Sequence, residues 1–204
     1  MRSIEIKHSN RQRGSALIVS LVILLIMTII GVQSISSTSL EEKMAGNYRS
    51  SQLSFQAAEA ALRQAEEFIE NTTFNLPHMQ VNASDSDFSA NCTNGLCFNG
   101  SGSFALECSA NNPSSPPWKD FTNIWDGAKH RSFSGSMPGV STLPKYIVEF
   151  RCCVPADLNV APDPSNGYCA NGEWAEMYRV TALGYGGTDQ ARTMLQSTFK
   201  KDVN

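Results

Sequence analysis

The sequence predicts an α+β fold: a long N-terminal helix, half membrane-embedded and half amphipathic, packed on a C-terminal antiparallel sheet of three or more strands with a disulfide-bonded loop region. Three observations predict it. No charged side chain occurs between Arg13 and Glu41. An apolar-or-small stripe at helical spacing then continues to residue 69, with no proline before Pro77. Alternating strand-like segments follow only after residue 144. The 204 residues suffice for an anchor and one medium domain.

The first thirteen residues carry Arg2, Lys7, Arg11 and Arg13 against the single acid Glu5. The run Ala16–Val32 is apolar except for Ser20, Thr28 and Gly31. At about 1.5 Å per residue it covers roughly 25 Å, and its uncharged flanks extend it across a hydrocarbon core of about 30 Å. Basic residues on the N-terminal side keep that end in the cytoplasm and send the rest across the inner membrane in a single pass. Three readings of the segment compete. A buried helix of a soluble protein fits poorly, because the run is apolar all round and preceded by a basic cluster. A cleavable signal could be cut at the small-x-small sequence Ser34-Ile35-Ser36. An anchor could instead be processed on its cytoplasmic side, between Gly14 and Ser15.

The run Arg13-Gly14-Ser15-Ala16-Leu17-Ile18-Val19 resembles the processing site of type IV prepilins. That resemblance implies cleavage by a prepilin peptidase after Gly14 and methylation of the new amine on Ser15, with the apolar helix retained. Residues 1–14 are then a leader and 15–35 the membrane or filament-core helix. The sequence departs from the usual pattern at two places: Ser15 stands where an aromatic residue is common, and Val19 stands where an assembly glutamate is usual. A carboxylate in lipid is costly unless paired. Its absence is shared by certain subunits proposed to sit at a filament tip.

The helical pattern continues over 36–70. Met44, Tyr48, Ser51, Phe55, Ala58, Leu62, Ala65 and Ile69 step by four and three and predict one face against a sheet. Gly31 and Gly46 weaken the helix locally. A single helix from Ser15 to Glu70 would extend about 80 Å. The runs Ser39–Asn47 and Phe55–Leu62 resemble the N-terminal region of the PilX family of minor pilins. The likeness covers residues 11–65. It implies a pilin-like fold and a role in starting or stabilising type IV pilus assembly. It also implies as partners other minor pilins, the major pilin, a tip adhesin-like protein and prepilin peptidase. The implied place is the inner membrane before assembly and the surface pilus afterwards, supporting twitching motility and cell adhesion.

Residues 71–204 are predicted to form the exported domain. Turn-forming Asn, Ser, Gly and Pro dominate 71–143. Trp118, Phe121, Ile124 and Trp125 have helical spacing and predict a short turn in the core. Lys145–Arg151, Tyr178–Tyr185 and Ala191–Lys200 predict a three-stranded meander. In the last, Thr193, Leu195, Ser197 and Phe199 share one face and Arg192, Met194, Gln196, Thr198 and Lys200 the other. Gly184-Tyr185-Gly186-Gly187 reads as part of a hairpin, not a phosphate loop.

Six cysteines, Cys92, Cys97, Cys108, Cys152, Cys153 and Cys169, lie beyond the anchor and predict disulfides formed in an oxidising compartment. Adjacent Cys152 and Cys153 at a strand end point to opposite faces and need different partners. Cys169 is predicted to close the loop after residue 153 with one of them, leaving the other for the 92/97/108 group.

No catalytic constellation emerges. His8, His78 and His130 have no neighbouring motif, and Cys92-x4-Cys97 lacks zinc-finger spacing. Asp85-Ser86-Asp87 lacks the rest of a calcium loop, and Asp163 and Asp189 read as solvated acids. The expectation is a structural protein, not an enzyme, with no cofactor, metal or small-molecule substrate. A net charge of −3 gives no basic stripe for nucleic acid. The alternatives are a tip pseudopilin of a type II secretion system and a secreted hydrolase released after Ser36.

Overall fold

The computed structural model describes residues 15–76, 86–98, 116–157, 159 and 172–202. The leader with His8 and Gly14, and the predicted features at His78, Asp85, Cys108, Asp163 and Cys169, lie outside the described residues. The chain divides into two compact units, Met1–Asn47 and Tyr48–Asn204. One helix, α1, runs Ser15–Glu70, and strands β1 to β5 span Leu96–Cys97, Arg131–Ser132, Lys145–Pro155, Trp174–Tyr185 and Arg192–Asp202. The long helix and the three-stranded antiparallel meander are thus as predicted.

In the first unit α1 is a bare apolar helix. Three of its hydroxyls bond within the helix: Ser20 Oγ donates to Leu17 O at 2.9 Å, Thr28 Oγ1 to Leu25 O at 2.8 Å and Ser34 Oγ to Ile30 O at 3.0 Å. Hydroxyls bonded in this way can sit in lipid or against another helix at little desolvation cost.

In the second unit the sheet order is β1-β3-β4-β5, with β2 also paired to β3. β3–β4 and β4–β5 are antiparallel, whereas β1 joins β3 in parallel. The register places Tyr178 opposite Phe199, Val180 opposite Ser197 and Ala182 opposite Leu195. With Ala61, Ala65 and Ile69 of α1 and Tyr146, Val148 and Phe150 of β3, these strands enclose the main core. The predicted Thr193–Phe199 face of β5 therefore looks toward the helix. The opposite sheet face carries a smaller core of Ile147, Leu183 and Tyr185 against Ile124, Trp125 and the Cys92–Cys97 disulfide.

The packed helix face is the predicted one at Ala58, Leu62, Ala65 and Ile69 but is rotated from it farther toward the N-terminus. Ser54, Ala57, Ala58, Ala61, Ala65 and Ile69 are buried, while Met44, Tyr48, Ser51 and Phe55 are exposed. The reason is steric. Gly184, inside β4, lies so close to α1 that a Cβ there would overlap the Ser54 carbonyl oxygen and the Ala58 amide nitrogen; one at Gly186 would overlap the Ser50 carbonyl. Only small helix residues admit that approach, so the alanine row faces the sheet and the larger Phe55 is turned aside.

Polar contacts lock the same arrangement. Ser54 Oγ meets Thr193 Oγ1 at 2.6 Å, and Ser197 Oγ donates to Glu66 Oε1 at 2.7 Å. Lys201 Nζ donates to Ile69 O at 2.9 Å and Thr72 O at 2.5 Å, supplying donors to carbonyls at the helix C-terminus that have no intrahelical partner. Gly184→Ala should therefore lower unfolding free energy by about 1–3 kcal/mol through overpacking. Gly187→Ala, whose nearest neighbour would be 3.7 Å away, should stay within about 0.5 kcal/mol. Denaturant titration followed by tryptophan fluorescence compares the two directly.

Candidate assembly surface

The feature that distinguishes this chain chemically is apolar surface without cover. Within the first unit Leu17 through Val32 expose large aliphatic side chains on all sides, among them Leu24 at 67% and Met27 at 70%. Helix α1 is long and apolar enough to cross a membrane. In water such a surface would be strongly unfavourable, at about 25 cal/mol per Å² of apolar area. It needs lipid or neighbouring helices. Ser15 opens the helix, and Val19 is exposed at 56% with an aliphatic side chain that can make no ion pair.

At the end of the predicted span and beyond it, Ile35, Leu40 and Met44 of the first unit remain exposed. In the second unit Tyr48 and Phe55 do the same, at 69% and 41%. Of these side chains, the periodicity assigns Met44, Tyr48 and Phe55 to the sheet. The signal that separates the two faces is side-chain size. The row against the sheet is Ser and Ala, and a glycine inside strand β4 marks a close backbone approach.

The second unit is held as a rigid carrier. Glu149 of β3 and Arg179 of β4 form a buried two-point pair, at 2.6 and 2.8 Å. Tyr178 OH donates to Glu176 Oε2 at 2.5 Å. Burial, with the Glu176 charge and the hydrogen bond to it, pushes the Tyr178 phenol well above its ordinary range, so it remains the donor. The predicted aromatic turn forms at Phe121–Trp125, where Asp120 Oδ1 accepts from Asn123 N at 3.0 Å and Trp125 Nε1 donates to Trp118 O at 2.9 Å.

Of the predicted disulfide cysteines, Cys92 and Cys97 bond to each other, and Cys152 and Cys153 are both oxidised. A register shift between Phe150 and Cys152 sets Cys152 opposite Met177 and Cys153 opposite Glu176, so the neighbours occupy opposite sheet faces as predicted. Among the described residues no group of three or more His, Cys, Asp or Glu is placed to hold a metal ion. His130 lines a groove in the second unit, its Nδ1 2.8 Å from Ile124 O. Asp189 accepts from Thr142 Oγ1 at 3.0 Å beside the β4–β5 turn.

Two family models match the chain. The one described as PilX N-terminal matches residues 13–63, and the one described as Type IV pilus assembly protein PilX C-term matches residues 80–201. No curated protein and no solved structure matches it.

The exposed and buried helix rows should respond oppositely to substitution. Ala61→Leu should destabilise the second unit by about 1–3 kcal/mol, because no space exists for the added carbons. Tyr48→Ser should change its stability by less than about 0.5 kcal/mol, since Tyr48 leaves the packed face untouched. Thermal unfolding of the detergent-solubilised variants reads both.

Proposed function

We propose that this chain, which belongs to the PilX family of type IV pilus proteins, helps to start filament assembly and takes its place at or near the filament tip. Its class is the type IV pilus minor pilin, a structural subunit with a membrane-type N-terminal helix. The observation that carries the finer reading is the unbroken exposed apolar surface of α1, joined in the family-matched region to a site of prepilin type at Gly14-Ser15.

In the proposed sequence of events a prepilin peptidase cuts after Gly14 and methylates the amine of Ser15. The helix then leaves the inner membrane for a bundle of like helices, where van der Waals packing replaces lipid contact. Val19 makes this exchange without burying a carboxylate. A subunit carrying glutamate there would need a neighbour's amine to offset the charge. This chain has no such need, which suits a position with no subunit ahead of it. Other minor pilins, the major pilin and a tip adhesin-like protein are the proposed partners, and motility and adhesion follow from the pilus they build.

Mass spectrometry of the membrane-fraction protein should find N-methylated Ser15 as the first residue. A start at Ser37 would instead indicate a released, signal-cleaved protein. Val19→Glu should redistribute labelled subunits from the tip into the shaft. Unchanged positions in labelled filaments would refute the tip assignment. Loss of the chain should sharply lower surface pili while cellular pilin pools stay constant.

A further inference from the structure

One groove in the second unit is not used by the packing described above. It has a volume of about 710 Å³ and runs between the C-terminal turns of α1 and the segment around β2, with Asn94 and Tyr146 completing its lining. Arg131 and Glu67 both face it. These opposite charges form no ion pair with each other or with any other described residue.

The separation is built in. The Arg131 guanidinium lies 4.1 Å from the Phe68 ring centroid, its Nε donates to Tyr146 OH at 3.3 Å and its Nη1 to Asn94 O at 3.3 Å. Those contacts fix the plane of the fork and leave Nη2 without a partner among the described residues. A stacked, oriented guanidinium with free donors is suited to a planar carboxylate. The opposite wall is fixed as well. The Gln64 side chain bonds Ser134 at two points, through its Nε2 to the hydroxyl and through its Oε1 to the backbone N–H at 3.0 Å. Glu67 and Asn71, both exposed on that wall, present acceptors, the Glu67 carboxylate and Asn71 Oδ1, while Asn71 Nδ2 donates to Glu67 O at 2.9 Å.

We infer that this groove binds an acidic saccharide, with the sugar carboxylate on Arg131 and its hydroxyls on Glu67 and Asn71. A free anion alone would be opposed by the Glu67 charge, whereas a ligand carrying both a carboxylate and hydroxyl donors satisfies both walls. A peptide anchored by side-chain pockets is disfavoured. Among the described lining residues the aromatic rings are those of Phe68, covered by Arg131 and met edge-on by Phe74 at 5.6 Å, Tyr146, which is itself buried, and His130. The inference does not depend on how the helix assembles.

The test uses the full chain in a detergent without sugar groups and saturation-transfer NMR with four probes: sodium glucuronate, glucose, sodium acetate and a short aspartate-containing peptide. Glucuronate should bind, with glucose and acetate each weaker by roughly tenfold or more. Arg131→Gln should abolish glucuronate binding. Because Arg131 also supports the fold, Glu67→Gln and Asn71→Ala provide exposed-wall variants that should each weaken glucuronate several-fold; Glu67→Gln should do so without moving the melting temperature, whereas Asn71→Ala also loses the bond from Asn71 Nδ2 to Glu67 O. Equal binding of acetate, tighter binding of the peptide, no binding of glucuronate, or unchanged affinity in the exposed-wall variants would each overturn the assignment.

Discussion

The close approach of helix α1 to the β4–β5 sheet governs the rest of the second unit. It is possible because Gly184 and Gly186 present no side chain where the backbone of Ser50, Ser54 and Ala58 passes. Alanines at 57, 58, 61 and 65 carry the contact along the helix until Ile69 reaches the aromatic core. Small residues contribute little area each, but they let two backbones come near enough for dense dispersion contact and for the Ser54–Thr193 bond. Once that row faces the sheet, the helical repeat dictates that Tyr48 and Phe55 cannot. Packing thus decides which apolar side chains remain for other subunits.

Polar groups then make the arrangement specific. Glu149 is buried against the half-buried Arg179 of the neighbouring strand, and losing Arg179 would leave that buried carboxylate uncompensated. Lys201 performs a different task, joining the last strand to the end of the helix through two carbonyls. Neither contact adds a catalytic possibility. Both reduce the number of ways the strands and helix can slide past one another, which matters for a subunit that must present a fixed surface to its neighbours.

Much of this was legible in the amino-acid order. The helix bounds, the three long strands and the shared face of Thr193–Phe199 follow from local periodicity and from the breakers around them. The opposite orientations of Cys152 and Cys153 follow from strand alternation, and the register shift at residue 151 preserves them. What was not legible is non-local. The helix rotation depends on a glycine about 130 positions away, and the parallel pairing of β1 with β3 has only two residues to announce it. Arg131 looked unremarkable in a polar stretch; its stacking on Phe68 and its freedom from carboxylates exist only after folding. Nor does spacing indicate that Cys92 pairs with Cys97, since six cysteines permit many connectivities.

The N-terminal half of α1 has a simpler logic. Its Ser20 and Thr28 hydroxyls bond within the helix, its large side chains from Leu17 to Val32 are apolar, and no described residue of its own unit covers them. A bilayer or a bundle of similar helices would meet that demand, so the proposed transfer exchanges one set of apolar contacts for another. The most direct measurement is in-cell photocrosslinking from a benzophenone amino acid at position 24. The account predicts adducts with other pilus subunits that appear when filaments assemble and vanish when assembly is blocked. A helix that gives no protein adduct in piliated cells would contradict it.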